Sequence, residues 1–466
     1  MKKESFEKKI LAYALKNAIE HDGKAIAGKV LSALFHEGLE KSKAKEVMPS
    51  IQKTIKEVNS LSIDEQRKKF SKLEEEVGHR KERVGLAELE NAEEGKVVMR
   101  IAPFPSGPLH IGNTRQLVLN DEYAKKYKGK LFLVIDDTIG SEEKQIIPEA
   151  YKMIEDGAEW LNVEYAEPIL YKSDRLELYY SYADQLIRKK KAYICFCDSK
   201  TLHENRMKGI ECEHRKYDIV KNLEEWNNML DHDYKEGEVV LRLKTDMKHP
   251  NPAFRDRVLF RISDRKHPRI GKKYRVWPLL ELSWAIDDHF LGMTHIIRGK
   301  ELMIETEMEK YIFDIFGWKH PVFIHTGLLQ FEGIKISKSK GQKEIREGKY
   351  TGWDDPRTWS LQSLEKRGIQ PQILRKFIID LGTNQNEITV PINVLYSENR
   401  KVLNEVAKPA DFAENAKGKT KVLMPDGAIV KGNSRAKAKD KDIFYFKGLG
   451  YCKYGKKENT FYFAHK

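Results

Sequence analysis

The first 92 residues repeat apolar side chains at the spacing of an α-helix. Residues three or four positions apart share one face of a helix, so such a repeat gives a continuous apolar stripe. The clearest run is Ile10, Leu11, Ala14, Leu15, Ala18 and Ile19. Proline is limited to Pro49, and residues 74–83 are dense in charge, which is typical of a solvated helix or a linker. The pattern predicts a helical N-terminal module over residues 1–92.

The pattern changes near residue 93. Residues 96–101 predict a buried strand, a turn rich in proline and glycine follows, a helix is expected from near Gly112 to Tyr127, and residues 131–135 predict a second strand. Strand, helix and strand in this order form a βαβ unit, which requires a parallel sheet. Further helices are predicted over 148–160, 175–190 and 355–400, and further strands over 239–244, 258–262, 420–424, 443–446 and 460–463.

Composition narrows the class of protein. The chain has 466 residues, of which 40% are hydrophobic, so it has enough apolar material for cores and is not a disordered protein. A formal net charge of +13 favours a polyanionic partner, nucleic acid first. No apolar run approaches the ~18 residues that a membrane helix needs, and the charged N-terminus lacks a signal core. We therefore expect a soluble cytoplasmic protein with no membrane partner.

The segment His110-Ile111-Gly112-Asn113 ends the first turn between strand and helix. Ligands of such sheets bind at the carboxyl ends of the strands, where a helix N-terminus offers free N–H groups to a phosphate. Gly112 would let a nucleotide approach the backbone, and His110 could donate a hydrogen bond to a phosphate as charge develops. The alternative is a helix N-terminus with an incidental histidine.

A second candidate segment is Lys335-Ile336-Ser337-Lys338-Ser339, about 220 residues further on. It follows Gly333 and predicts a mobile cationic loop. Lys338 could act as a point charge on a phosphate, and the serine hydroxyls add neutral donors. The alternative is an exposed loop of lysine and serine.

Together the two segments resemble the two signatures of class I aminoacyl-tRNA synthetases, in the glutamyl/glutaminyl branch. The first signature extends over residues 100–113, and the two occur in the expected order. Six further blocks, the N-terminal module and the C-terminal end resemble archaeal-type glutamyl-tRNA synthetases. The blocks are residues 173–180, 244–252, 273–278, 287–289, 292–300 and 352–357.

The resemblance implies an enzyme and its reaction. L-Glutamate and ATP, with Mg²⁺, give glutamyl-adenylate and pyrophosphate, and the 3′ end of tRNA(Glu) then accepts the glutamyl group. Charging of tRNA(Gln) isoacceptors stays open. The implied catalytic residues are His110, Asn113, Lys335 and Lys338. The implied ATP-binding residues are Pro103, Pro105, Ser106, Gly107, His110, Gly112, Asn113, Lys335, Ser337, Lys338 and Ser339.

The resemblance also implies an amino-acid pocket. Its residues are Arg100, Ala102, Asp136, Leu280 and Arg298. Arginine can pair with a carboxylate through two hydrogen bonds, and Asp136 would reach the α-amino group. Without the resemblance, each arginine is better explained by a surface salt bridge.

Several positions depart from the family pattern. Leu280 stands where the family usually has a tyrosine that contacts the amino acid, Trp284 where a small or polar residue is usual, and Val134 where an arginine is usual. Two other functions therefore stay open. One is a synthetase paralogue that uses another amino acid or acceptor, and the other is a non-catalytic RNA-binding homologue.

Three of the four cysteines lie within eighteen residues, which does not suit a disulfide framework. Cys195, Cys197, Cys212 and His214 offer three thiols and an imidazole, the ligand number and type of a structural zinc site. His203 is an alternative ligand, and chance clustering of thiols is the alternative to a metal. Some glutamyl-tRNA synthetases carry zinc with this pattern in their acceptor-binding domain.

We expect an α/β fold built on a Rossmann-type parallel sheet, with an inserted acceptor-binding domain and a small C-terminal β-barrel. The predicted regions are a helical N-terminal module (1–92), the first catalytic half (93–195), the insert (196–265), the second catalytic half (266–312), a helical stem-contact region (313–400) and a reduced anticodon-binding remnant (401–466). The N-terminal module is a candidate docking site for a partner protein. The short C-terminal region predicts reduced anticodon recognition.

Overall fold

The computed structural model describes residues 3–37, 39, 43–77, 85–140, 145–231, 233–334 and 336–466. These residues divide into two units, one before residue 84 and one from residue 84 onward. None of the helices in this part of the chain is both long and apolar enough to cross a lipid bilayer.

The N-terminal unit is helical, as the sequence predicts. Its apolar stripes pack on one another and bury Ile10, Leu15, Leu34 and Val58. Ser62 begins the fourth helix with a capping box, since it accepts a hydrogen bond from the Glu65 N–H and receives the Glu65 carboxylate on its own N–H. The helices are α1 (Lys3–Glu20), α2 (Ala27–His36), α3 (Ala44–Asn59) and α4 (Ile63–Phe70).

The second unit contains the predicted parallel sheet. Strands β1, β2 and β3 pair in that order, all parallel, and the predicted βαβ unit is confirmed. Strands β8 and β9 are also parallel, and the Thr294 N–H beside β8 donates to the Val98 C=O of β1 at 2.9 Å. The elements are β1 (Val98–Ile101), α5 (Thr114–Lys126), β2 (Lys130–Ile135), α6 (Pro148–Trp160), β3 (Ala166–Tyr171) and α7 (Leu176–Arg188), with β8 (His295–Gly299), α11 (Met303–Phe316) and β9 (Val322–Thr326) later in the chain.

A four-stranded antiparallel sheet lies in the middle of the sequence, in the order β4-β5-β6-β7. Its strands begin at Ala192 and end at Pro278, so the sheet extends beyond both ends of the predicted insert, 196–265. The domain boundaries drawn from the sequence stay predictions. The elements are β4 (Ala192–Cys195), α8 (Ser199–Lys208), α9 (Ile219–Leu230), β5 (Val240–Leu243), β6 (Val258–Ile262), β7 (Val276–Pro278) and α10 (Leu280–Phe290).

The following region is largely helical, as expected for residues 355–400. One side of it packs on the parallel sheet, where Leu361, Leu364, Leu374 and Leu395 join the same core as β1 and β2. The elements are β10 (Leu329–Phe331), α12 (Lys338–Arg346), α13 (Leu361–Arg367), α14 (Pro371–Leu381), β11 (Ile388–Val390) and α15 (Ile392–Val406).

The C-terminal residues form a seven-stranded sheet in the order β12-β16-β17-β18-β14-β15-β13. Its edge strands β12 and β13 are joined by only Asp411 and Phe412, so the two edges lie within about 11 Å of each other. The sheet therefore curls on itself around Val422, Phe444 and Phe446, as a small barrel does. The strands are β12 (Lys408–Ala410), β13 (Ala413–Glu414), β14 (Thr420–Leu423), β15 (Ile429–Asn433), β16 (Ile443–Phe446), β17 (Gly450–Gly455) and β18 (Thr460–His465).

Candidate functional site

His110 forms the cap between β1 and α5. Its Nδ1 accepts a hydrogen bond from the Gly112 N–H at 3.1 Å, and its own N–H donates to Asn113 Oδ1 at 3.1 Å. Burial, with help from the Lys338 charge, lowers the pKa of His110 to about 3. The imidazole is therefore neutral at physiological pH, and because Nδ1 is an acceptor, its proton lies on Nε2. That leaves an N–H donor beside a helix N-terminus.

The second signature segment reaches the first. Ser337 caps α12 by accepting from the Lys340 N–H at 3.2 Å, which places Lys338 in the first turn. Lys338 Nζ lies 3.5 Å from the Gly107 carbonyl oxygen of the first segment. Lys335 lies outside the described residues.

Trp353 fills the space between the two segments. A Cβ added at Gly107 or at Gly341 would lie 3.1 Å from its indole ring, closer than about nine in ten real Cβ contacts. Gly107 also has φ +146°, a conformation that side chains rarely adopt. A side chain at either position would therefore displace the ring by a few tenths of an ångström, and at Gly107 it would also strain the backbone.

A cavity of about 690 Å³ opens where these elements meet. It lies at the carboxyl end of β1 and the N-terminus of α5, the usual ligand site of a parallel sheet. The predicted site residues in its lining are Arg100, Ala102, Pro103, His110, Gly112, Asn113 and Arg298. A neighbouring cavity of about 270 Å³ is lined by Ser106, Lys338 and Ser339 together with Pro103 and Asn113.

Buried ion pairs form one wall of the larger cavity. Arg100 makes two hydrogen bonds to Asp288, the second at 2.8 Å, and Arg298 Nη1 donates to Glu309 Oε1 at 2.7 Å. The Trp284 ring lies against both guanidinium groups, at 5.0 Å and 5.2 Å from its centroid. This wall can bind anions through two arginines, but each arginine already has a carboxylate partner.

Asp136 lies just beyond β2 and is 1% exposed. Its Oδ2 is 3.3 Å from the Nζ of Lys172, which also donates to the Ser283 hydroxyl at 2.8 Å. Lys172 Nζ is 5.1 Å from the Trp284 ring centroid, so a third cation flanks that ring. Asp136 thus already holds a cation in the position where the resemblance places an amino group.

The cysteine cluster lies at the end of β4. The ligand atoms of Cys195, Cys197, Cys212 and His214 are all within 4.8 Å of one another. Cys195 Sγ and Cys212 Sγ are 3.8 Å apart, and Cys197 Sγ is 3.6 Å from His214 Nδ1. His203, the alternative ligand, is not in this group.

The family model for tRNA synthetases class I (E and Q), catalytic domain, matches residues 96–405. The chain belongs to this family. A protein named glutamate–tRNA ligase from Pyrococcus abyssi is 48% identical over 408 residues, covering 86% of this chain and 71% of that protein. One of the same name from Methanocaldococcus jannaschii is 45% identical over 412 residues, covering 88% and 73%. The resemblance drawn from the motifs is confirmed.

Most of the synthetase site residues predicted from the sequence line the two cavities, with five exceptions among the described ones. Ser337 caps α12 and lines a smaller pocket together with His110 and Lys338. Pro105 and Gly107 lie outside the cavity linings, and Gly107 packs on Trp353. Asp136 is buried behind the wall, and Leu280 is part-buried at the start of α10, also outside the linings. The roles of all the predicted site residues stay predictions.

Sequence reasoning missed the charged partners in this synthetase wall, Lys172, Asp288 and Glu309. Each is fully or almost fully buried. For Glu309 a signal existed, because it shares a helix face with Ile312, Phe313 and Phe316 three, four and seven positions later. A carboxylate on an apolar stripe is rarely buried without a cationic partner.

Proposed function

We propose that this chain is a glutamate–tRNA ligase that activates L-glutamate with ATP and transfers it to tRNA(Glu). The observation that carries the proposal is the position of His110, which lines the 690 Å³ cavity together with Arg100 and Arg298 and also lines a smaller pocket together with Lys338 of the other signature segment. Cations and neutral donors for phosphate thus adjoin cations for a dicarboxylic amino acid.

The chemistry divides into two steps. In the first, a carboxylate oxygen of glutamate attacks the α-phosphorus of ATP, a new P–O bond forms, and pyrophosphate leaves with the electron pair of the broken P–O bond. His110 Nε2–H would donate to an α-phosphate oxygen as charge develops, with the N–H groups at the start of α5 beside it. Lys338 would neutralise charge on the leaving pyrophosphate.

In the second step, a terminal hydroxyl oxygen of tRNA attacks the acyl carbon and gives up its proton to the AMP phosphate or to water. The bond between the acyl carbon and the phosphate oxygen breaks, and AMP leaves with that electron pair. The chain's part in both steps is to position the reactants and stabilise charge. Mg²⁺, when bound with ATP, supplies positive charge to the phosphate oxygens and needs few protein ligands. The described cavity linings contain one carboxylate, that of Glu301, which fits a metal held chiefly by ATP.

Pyrophosphate exchange across the twenty amino acids, with and without tRNA, tests the proposed activity. We expect exchange with glutamate, and only when tRNA is present, as the resemblance implies. Exchange with another amino acid alone would instead favour a paralogue of different specificity. No exchange with any amino acid would favour a non-catalytic RNA-binding homologue.

The second candidate function, a paralogue of different specificity, is favoured by the wall around Trp284. Glutamate brings two carboxylates, yet Asp288 and Glu309 already occupy the two arginines. Leu280 offers no hydroxyl where the resemblance expects one. A neutral amino acid would meet less electrostatic competition there.

We also propose tRNA(Glu) as the nucleic-acid partner, with tRNA(Gln) isoacceptors open, and a cytoplasmic location. The +13 net charge supports a polyanion. A protein partner at the N-terminal helical module is a further proposal. Ile26, which is 51% exposed on that unit, is the first residue to mutate in a test of partner binding.

The cysteine cluster fits a structural zinc ion. Tetrahedral zinc with ordinary bond lengths sets its sulfur atoms about 3.8 Å apart and its sulfur and nitrogen atoms about 3.5 Å apart. The cluster has 3.8 Å between Cys195 and Cys212 and 3.6 Å between Cys197 and His214. Hydrogen bonds, first from Cys195 and then from His214 and Tyr193, lower the pKa of Cys212 to about 4, so a thiolate is available.

Arg242 supports this zinc site from behind. Its Nη1 lies 3.7 Å from Cys195 Sγ and 3.9 Å from Cys212 Sγ, and its side chain is 1% exposed. Three thiolates and one imidazole around Zn²⁺ leave a charge of −1, which the buried guanidinium would neutralise. We expect Arg242→Met to weaken zinc retention about 10–100-fold, as the loss of groups that orient metal ligands does.

The measurement is zinc transfer to a competing chelator, followed on the purified full chain. Arg242→Lys keeps the charge and should retain zinc better than Arg242→Met, and circular dichroism controls for folding. Equal retention in both variants and the wild type contradicts the role of Arg242. Wild-type protein with far less than one zinc and three freely titrating thiols contradicts the metal site itself.

A further inference from the structure

Arg298 is held on one side by α11. Its Nη1 donates to Glu309 Oε1 at 2.7 Å, and its Nη2 and Nε donate to the Thr306 hydroxyl at 2.6 Å and 3.1 Å. Arg298 is 4% exposed and Glu309 is fully buried. The pair is therefore shielded from solvent. Charges in such a buried environment interact more strongly than they do in water.

Two aromatic rings hold the guanidinium from its other sides. Its central carbon lies 5.2 Å from the Trp284 centroid and 5.1 Å from that of Phe323. Trp284 and Arg298 both line the 690 Å³ cavity. The Trp284 Nε1–H is buried and has no hydrogen-bond partner among the described residues. The ring therefore leaves a donor for an incoming polar group.

Arg298 still has N–H donors to offer a ligand, but its positive charge is balanced by Glu309. A guanidinium has five N–H groups, and three are used by Glu309 and Thr306, so two have no partner in the part of the chain that the structure describes. Two N–H groups suffice to bind a carboxylate. Its positive charge, however, is already matched by Glu309. A second carboxylate on the same guanidinium would lie close to the first.

We propose that Glu309 is a specificity-determining residue, a resident carboxylate that competes with a carboxylate of the substrate amino acid for Arg298. The inference deepens the proposed function and rests on it. While Glu309 is ionised, the wall favours a neutral group. When Glu309 takes up a proton, Arg298 recovers its net charge and binds a carboxylate more tightly.

The surroundings of Glu309 make that proton uptake accessible near neutral pH. Burial and the neighbouring Asp288 of α10 raise the pKa of Glu309 to about 7, against the opposing pull of Arg298 in β8 and Arg100 in β1. From β9, His325 contacts Thr306 at 2.7 Å, and burial lowers the pKa of this histidine, so it brings no charge there at neutral pH. Glu309 Oε2 has no partner within the described chain, so it can accept the proton.

The sign of the pH effect follows. Below about pH 7 Glu309 is protonated and Arg298 is available, so the KM for glutamate is low. As pH rises through that value Glu309 ionises and the KM rises. Linked binding equilibria commonly change affinity 5–150-fold, so we expect the KM to rise at least about fivefold between pH 6 and pH 8.

The test is Glu309→Gln in the full chain, assayed by glutamate-dependent pyrophosphate exchange with tRNA at pH 6 and pH 8. The amide oxygen still accepts from Arg298, but the negative charge is gone. We expect the KM for glutamate at pH 8 to fall at least about fivefold, with kcat changed less than about twofold and the pH dependence of KM removed. Glu307→Gln is the matched control, because Glu307 is on the same helix with its side chain 59% exposed.

Each outcome decides the inference. A KM that is the same in Glu309→Gln and wild type at both pH values overturns it. If the variant does not fold, a wild-type KM for glutamate that does not change between pH 6 and pH 8 overturns it. A wild type silent with glutamate beside an active Glu309→Gln variant upholds the competition and overturns the proposed function. Silence in both overturns the two together.

Discussion

Replacing Lys338 with alanine is expected to reduce glutamate-dependent pyrophosphate exchange at least about a hundredfold, the usual cost of removing one preorganised charge-stabilising group. Lys338 begins α12, and its Nζ lies 3.5 Å from the Gly107 carbonyl oxygen, so it connects the second signature segment to the first. It also lines the 270 Å³ cavity beside Asn113 and Ser339. Alanine removes both the cation and this connection.

Steady-state exchange at saturating glutamate and tRNA, with ATP varied, measures the effect of Lys338→Ala. We expect the loss mainly in kcat, because charge on the leaving pyrophosphate grows in the transition state. Lys343→Ala is the matched control, since Lys343 is on the same helix and its side chain is 71% exposed. Its ion pair with Glu347 is long, at 3.9 Å. Equal rates in Lys338→Ala and the control would refute the role of Lys338.

Much of the fold could be predicted from local pattern. The strand at 258–262 and the helix at 148–160 have the same bounds in sequence and structure. Both segments carry their own signals, an apolar run for the strand and Pro148 at the start of an amphipathic stretch for the helix. Local sequence signals were enough to predict the bounds of these two elements.

The cysteine cluster was also predictable, because its ligands come as two close pairs in sequence. Cys195 and Cys197 lie at the end of β4. Cys212 and His214 lie at the start of the short helical turn that follows α8. Such spacing is a local signal. Its supporting Arg242 comes from β5 and has no comparable signal, because only strand pairing brings it to the sulfur atoms.

The charge balance of the amino-acid pocket could not be predicted for the same reason. Arg100 and Asp288 are 188 positions apart, and no pattern near either residue identifies the other. The resemblance therefore implied two arginines that contact the amino acid, whereas the structure pairs each with a buried carboxylate. Amino-acid specificity depends on whether these arginines are paired, so specificity is the least predictable property of the site.

The support of the first signature segment is a further case. The Leu361 N–H donates to the Leu109 carbonyl at 2.9 Å and the Ile111 N–H donates to the Trp359 carbonyl at 3.1 Å, so a distant segment fixes the turn around His110. The motif indicated which residue would meet phosphate. The contacts that hold it still come from elsewhere in the chain.

His110→Ala is expected to reduce exchange at least about a hundredfold as well, with a different diagnostic from Lys338→Ala. Because its pKa is about 3, His110 stays neutral over the assay range and should contribute no inflection to the pH–rate profile between pH 5 and 9. The role depends on Nε2–H donation, which the hydrogen bond from the Gly112 N–H to Nδ1 enforces. Alanine removes that donor together with the cap.

A second variant separates these two losses. Asparagine is a favoured N-cap residue and carries an amide donor, so His110→Asn should keep the cap and recover part of the rate. Thermal unfolding of both variants measures the contribution of the cap, about 1 kcal/mol. If His110→Ala loses stability but keeps a wild-type rate, His110 is a capping residue only. If His110→Asn keeps its stability and exceeds the rate of His110→Ala while staying below that of the wild type, the imidazole N–H acts on the phosphate.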